Sequence, residues 1–388
     1  MSHQELGNVQ LQPQSPARRN MLRSSAMLLG ASLLASDSMG AVAAGQHAQP
    51  ATRNGNSATP NIRRRMIGFM LAHEQFTVPE LLQLGVAAEQ AGFDLLATSD
   101  HFQPWQANEG HSSEAWVTYG ALGQHTQHIW MGTTVTCPTF RYNPAVVAEA
   151  FATLTQLSPG RIFLGVGSGE ALNEEAATGE WPKWTERSER LVEATEVIRQ
   201  LWSGQPVSHK GKYYNVNAKL YDPPTEPIPL LMAANGPKAM RRSGQYGDGL
   251  ITDPKTWKEH KAEWEAGART AGKDPGKMPV LVEQFVAVGG EQDVRNSAEL
   301  WRFIPKAFTE YYNVRDPEKI EEMADAEVPL QKVYSEWPVS TDPGPHIKKV
   351  NELFDSGATI VNIHSGQVDQ KRVIEFYGRE VIPRVNRG

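Results

Sequence analysis

The chain has a single cysteine, Cys137, so no disulfide can form within it and its core must hold by packing alone. After residue 45 it has no apolar run long enough to span a bilayer. It lacks a basic excess: 38 Lys and Arg stand against 44 Asp and Glu, a formal charge of −6, which argues against a general nucleic-acid binder. No G-x-G-x-x-G follows the first strand-like segment, and Gly165-x-Gly167-x-Gly169 lacks the third glycine at the dinucleotide-binding spacing. No internal repeat is visible beyond a strand–helix unit. What remains is ordinary globular material, 40% hydrophobic and 21% charged over 388 residues, enough for one large domain or two of usual size.

The N-terminus differs in character. Arg18-Arg19 and Arg23 precede the modestly apolar stretch Ala26–Ala35, and Ala41-Val42-Ala43 offers a small-x-small cleavage pattern. A basic region, a short apolar region and a small-residue exit make an export signal, and the paired arginines point to the twin-arginine route, with Met21 where that motif often has Phe. The expected organisation is therefore a signal peptide over 1–43, a flexible Gln-, Asn- and Pro-containing linker over 44–61, and a folded domain over 62–388. A protein so exported would reach the periplasm or cell envelope already folded, and this route often carries proteins with a cofactor bound.

Within the domain, short apolar stretches alternate with helical patterns. The strands are expected at Met66–Leu71, Leu95–Ser99, Ile129–Cys137, Arg161–Val166, Ile228–Ala234, Gly249–Thr252, Val280–Val288 and Thr359–His364. Helices are expected at Pro79–Gly92, Glu114–Gln127, Ala145–Leu157 (with Asn143 as N-cap and Pro144 at the first position) and Glu186–Trp202. Alternation of this kind predicts a parallel α/β architecture, and eight strands favour the closed (β/α)₈ TIM barrel over an open doubly wound sheet. Glu174–Thr185, Ser203–Pro229 and Pro305–Asp342 interrupt the alternation and are expected as irregular insertions at the C-terminal mouth, where such barrels keep their chemistry.

Two segments just past strand ends carry the reactive groups. Ser99-Asp100-His101-Phe102-Gln103-Pro104-Trp105 supplies an acid, an imidazole and an indole; Gly165-Val166-Gly167-Ser168-Gly169-Glu170 supplies a second carboxylate. An imidazole needs little tuning to act as a proton acceptor near neutral pH. His73 and Glu74, past the first strand, and His364, ending the last, also fall at the mouth. His73, His101 and His364 lack an accompanying close-spaced carboxylate set, so no metal site is expected.

The runs Ala97–Trp105, Thr139–Val146, Arg161–Glu174 and Arg199–Gly204 together resemble the luciferase-like (β/α)₈ oxidoreductases, and within them the coenzyme F420 (deazaflavin)-dependent glucose-6-phosphate dehydrogenase group. Ala72–Phe76, Ala218–Asp222, Glu299–Phe303 and the export signal resemble its hydroxymycolic acid dehydrogenase branch. The resemblance implies that His101 is the base taking the hydroxyl proton of an alcohol while hydride passes to the deazaflavin. It implies that Trp105 packs over the reacting centre and that Glu170 manages the proton gained by the reduced cofactor. Asp100, the Thr134-Val135-Thr136 segment (where the family has a non-proline cis peptide), Asn173 and Ala234-Asn235-Gly236 would contact the cofactor, and relatives suggest a homodimer.

One departure stands out. The sugar-phosphate enzymes clamp phosphate with lysines and an arginine, yet here Val282-Glu283-Gln284-Phe285 has no lysine and Glu299-Leu300-Trp301 replaces the arginine-bearing segment. A dianion needs concentrated positive charge. The expected substrate is therefore an unphosphorylated sugar or secondary alcohol, with Glu74, Lys219 and His364 as substrate contacts. A flavin mononucleotide (FMN)-dependent monooxygenase or reductase on the same fold is one alternative. A glucose-6-phosphate dehydrogenase is another, and a periplasmic solute-binding protein is the non-enzymatic one.

Overall fold

The computed structural model describes residue 62 and residues 64–387. The signal and linker expected over residues 1–61 lie outside the described residues. Ten strands are present among the described residues: β1 (Met66–Met70), β2 (Leu95–Thr98), β3 (Trp130–Thr133), β4 (Ile162–Val166), β5 (Val207–Lys210), β6 (Asn215–Ala218), β7 (Leu230–Ala233), β8 (Gly249–Thr252), β9 (Val280–Phe285) and β10 (Ile360–His364). β5 and β6 form a separate antiparallel hairpin. The other eight close into a parallel barrel in chain order, with β10 returning to pair with β1, Met66 opposite Ile360. That closure is the (β/α)₈ barrel, and it rules out the open sheet.

Because the side chains of a strand alternate between faces, a barrel strand buried on both sides must be apolar at nearly every position. One parity (Met66, Leu95, Phe163, Leu231, Leu281, Ile360) packs into a small cluster inside the barrel. The other parity (Ile67, Leu96, Val280, Val361 and Ile363 among them) joins the large cluster under the outer helices. Phe163 fills the interior beside β3 because Gly132 leaves room, since a Cβ on Gly132 would meet the Phe163 ring and carbonyl. Among the described residues no helix is long and apolar enough to cross a membrane.

Several boundaries differ from expectation. β3 stops at Thr133, a cis peptide joins Thr134 to Val135, and only Thr136 returns to bridge Val166. β9 ends at Phe285 and only Ala287 pairs again, with Val339. Composition registers extended backbone, not the point where ladder hydrogen bonds cease. The helix expected to reach Gln127 spans Ala115–Leu122, whereas Pro144–Leu157 begins where the Asn143 side chain accepts from the Ala145 amide at 2.9 Å. The insertion Ser203–Pro229 holds the β5–β6 hairpin, and Pro305–Asp342 holds the helix Pro317–Glu327, started by the Asp316 side chain accepting from the Glu318 amide.

After β7 and β8 the helices Pro237–Tyr246 and Pro254–Thr270 meet backbone to backbone. A Cβ on Gly244 would strike the Trp264 carbonyl, and one on Gly267 would strike the Arg241 carbonyl, whereas space around Gly236 is open. Gly244→Ala is accordingly expected to lower stability by about 1–3 kcal/mol through overpacking, read as a lower urea midpoint, while Gly236→Ala leaves the midpoint in place.

Candidate active site

At the C-terminal mouth the inward-facing positions divide into two arcs. From β9 through β10 and β1 to β2 they carry Glu283, His364, Glu74 and His101; across β3, β4 and β7 they carry Val135, Gly167 and Ala233, with Asn235 and Gly236 following. One arc is rich in acids and imidazoles. The other is small and apolar, and it leads to the start of the helix Pro237–Tyr246, whose first amides have no partner within the helix.

His101 is 9% exposed, and its Nδ1 lies 3.5 Å from Glu74 Oε1. The same Glu74 oxygen accepts a hydrogen bond from the Ser99 hydroxyl. Glu74 Oε2 and His101 Nδ1 are both buried without a hydrogen-bond partner. Behind them His73 contacts the Thr98 hydroxyl and lies 3.2 Å from the Leu71 carbonyl through Nδ1, and burial lowers its pKa below the ordinary value. His73 is thus a support beneath the site. Trp105 stacks on Phe303 at 4.7 Å and stands 5.8 Å from the His101 ring, so the two residues expected to flank the reacting centre do face each other.

Asp100 points the other way, as neighbours on a strand do. Its Oδ2 accepts from the Thr136 hydroxyl at 2.7 Å, and its Oδ1 from Arg141 at 2.9 Å and the Tyr142 hydroxyl at 3.1 Å. Both oxygens are therefore engaged within the protein, and Thr136 is tied up with them. Arg141 and Tyr142 anchor this carboxylate as well as leading into the next helix. Asn173 joins the two motif loops: its Oδ1 accepts from the Phe102 amide at 2.8 Å, and its Nδ2 donates to Glu170 at 3.3 Å. Glu170 is half-buried on the β4 side. Thr134–Val135 is the cis peptide that the resemblance implied.

Other candidates fall differently. His364 is fully buried, with Nδ1 2.7 Å from Glu283, its face stacked on Phe285 at 4.0 Å and the edge of Trp301 against it at 4.2 Å. Lys219 is exposed on the segment after β6 with its ammonium 5.6 Å from the Tyr221 ring, and among the described residues no hydrogen bond or ion pair joins it to the mouth residues. Glu299, which opens the segment standing in place of the arginine-bearing one, turns to Arg302 at 3.6 Å; that segment contributes Trp301 and Phe303 instead. Sequence reasoning missed Glu109. It is buried, its carboxyl accepts from the Gln106 amide at 3.0 Å, and burial, aided by Glu74, holds it well above the usual range. The spacing Gln106-x-x-Glu109 is a cap pattern that could have drawn attention to it. Among the described residues no group of three or more His, Cys, Asp or Glu is placed to hold a metal ion.

The sequence profile of the luciferase-like monooxygenase family matches residues 57–359. The chain belongs to that family. It is similar to an F420-dependent hydroxymycolic acid dehydrogenase of Mycobacterium tuberculosis (strain ATCC 25618 / H37Rv), 44% identical over 337 residues that cover 86% of this chain and 92% of that one. It is also similar to an F420-dependent glucose-6-phosphate dehydrogenase of Segniliparus rotundus, 39% identical over 327 residues, 82% and 97% of the two chains. Among solved structures, an F420-dependent secondary alcohol dehydrogenase in complex with an F420–acetone adduct superposes with a TM-score of 0.78 at 36% identity, covering 83% of this chain and 99% of that one.

The mouth fits a flat ring cofactor. Val135 and Ala233 top the barrel interior as an apolar floor. Gly167 leaves the space against Val135 that a Cβ would occupy, and Gly236 opens onto free space at the helix start. On the opposite arc, His101 Nδ1 and Glu74 Oε2 are buried polar atoms without a hydrogen-bond partner.

Glu174 supplies a pH test of the network beside the cradle. Its carboxylate accepts from the Arg141 amide at 2.9 Å, and burial pushes its pKa up to about 7 from an ordinary 4.5. Between those values the folded state holds a proton that the unfolded chain has lost, so stability falls as pH rises through that window. Glu174→Gln is expected to make the fall in urea midpoint over this range shallower than in the wild type.

Proposed function

We propose that the protein is a coenzyme F420-dependent alcohol dehydrogenase with His101 as its base. The cofactor assignment is supported by the three relatives above, each F420-dependent, and by the small-residue cradle on β3, β4 and β7. The observation that carries the chemistry is the buried His101–Glu74 pair, 3.5 Å apart, facing that cradle. The bound deazaflavin would supply a flat two-electron acceptor for hydride from the carbinol carbon.

The chain's own groups do the rest. Glu74 beside Nδ1 favours the tautomer carrying the proton there, which leaves Nε2 to take the hydroxyl proton, and it stabilises the imidazolium that forms. Trp105, held by Phe303, orients the alcohol and excludes water from it. Glu170, steadied by Asn173, would hold or release a proton on the cofactor side. Ala234-Asn235-Gly236 and the free amides opening the next helix would hold the cofactor's phosphate. The same reading takes the substrate to be an unphosphorylated sugar or secondary alcohol. It takes the enzyme to be a homodimer, exported by the twin-arginine route to the periplasm or cell envelope.

Titrating the purified mature protein with coenzyme F420 and with FMN in parallel, by tryptophan quenching, is expected to show saturable micromolar or tighter binding of the deazaflavin alone. Binding of FMN alone would move the chain to a monooxygenase reading. Loss of a general base lowers turnover by about 10²–10⁴-fold, so His101→Ala is expected to lose kcat on that scale while keeping its deazaflavin affinity.

A further inference from the structure

We propose that Glu283, held in place by His364, sets the charge selectivity of the substrate site and restricts it to uncharged alcohols with an apolar body. This rests on the alcohol dehydrogenase reading above and names the substrate class of the same site. Glu283 shares the parity of Leu281, which packs inside the barrel, so its side chain rises from the inner face of β9; Asn362 is its register partner on β10. The Glu283 side chain is 22% exposed whereas His364 is fully buried, so the carboxylate meets whatever enters the mouth and the imidazole lies behind it.

The pair is rigid. His364 Nδ1 lies 2.7 Å from Glu283 Oε1, and the imidazole is fixed by the face of Phe285 and the edge of Trp301. With Nδ1 directed at the carboxylate, the buried Nε2 has no partner. A carboxylate so pinned cannot turn away from an incoming anion.

Among the described residues no Lys or Arg forms an ion pair with Glu283, whose one such partner is the His364 imidazole. Along the arc, Glu74 has a buried oxygen without a partner. Arg141 is committed to Asp100 at 2.9 Å and to the Glu174 side at 3.9 Å, and Lys219 lies out over Tyr221. Recognition of a phosphate or carboxylate calls for an uncommitted guanidinium or ammonium, best in bidentate geometry. The surface beside the pair is aromatic instead: Phe285 stacks on Trp337 at 5.1 Å, and Trp301 leads through Phe303 to Trp105 and His101. A neutral secondary alcohol with an apolar chain matches both features.

The test pairs two alcohols of the same four-carbon skeleton, 2-butanol and 3-hydroxybutyrate, on wild type and Glu283→Gln, a variant that keeps an acceptor for His364. Wild type is expected to favour 2-butanol. The substitution is expected to raise the relative kcat/KM of the anion at least about tenfold, through KM, with a smaller gap at high salt, as removal of a close like charge requires. Saturation-transfer NMR on the cofactor-free protein reads the same discrimination without turnover: the 3-hydroxybutyrate signal should grow relative to 2-butanol in the variant. An unchanged ratio in a variant with wild-type melting temperature would overturn the proposal, as would equal use of both alcohols by the wild type. Failure of the wild type to bind coenzyme F420 removes the dehydrogenase reading instead, and the NMR ratio still decides the role of Glu283.

Discussion

The arrangement of the mouth depends on one buried charge, the carboxylate of Asp100. It sits at the end of β2, and its oxygens gather Thr136 from beyond β3 together with Arg141 and Tyr142 from the turn leading into Pro144–Leu157. Arg141 extends the link to Glu174 on the β4 side. Three strand ends are thereby stitched by one network at a place where the regular ladder has given way to the single Thr136–Val166 bridge. Removing one partner of such a buried pair typically costs about 3–5 kcal/mol because the other charge is left without compensation. The loop carrying His101 and Trp105 inherits its position from this clamp and from Asn173, which caps the amides of Phe102 and Gln103.

Given that frame, the division of the mouth into two arcs has a simple physical sense. A flat, largely apolar ring needs surface without side-chain bulk, which the β3, β4 and β7 ends provide. Proton transfer needs titratable groups shielded from water, which the β9, β10, β1 and β2 ends provide. On the acid and imidazole side burial disfavours charge: it lowers the His73 pKa and holds the Glu109 carboxyl well above the usual range. The polar groups left at the mouth can then act with less competition from a sheath of water.

Much of this was legible beforehand. Alternating apolar runs and helix signals reveal eight strands because burial on both faces demands near-continuous hydrophobicity, and Asn143-Pro144 or Gly92 mark helix ends through local backbone chemistry. The motif around His101 and the Gly167 segment fall at strand ends, so their convergence follows from the barrel. The β5–β6 hairpin and the shortened β3 were less legible, since their pairing partners are distant or absent. Glu109 escaped notice because its importance comes from burial beside Glu74, and an isolated glutamate in a loop has no periodicity to betray that.

The sequence by itself determined the barrel, the positions of its strand ends and the chemical types brought to the mouth, because these follow from local pattern and alternation. Which of those groups is free to act was decided only by the tertiary structure. Asp100 and Arg141, equally polar in sequence, engage each other, while Lys219 stays out over Tyr221. Glu299 turns to Arg302, and Glu283 takes the inner face of β9 against His364. The Asp100–Arg141 and Glu283–His364 pairs join residues 41 and 81 positions apart, so they depend on barrel closure and register, and a linear pattern does not encode which of several like charges finds the partner that neutralises it.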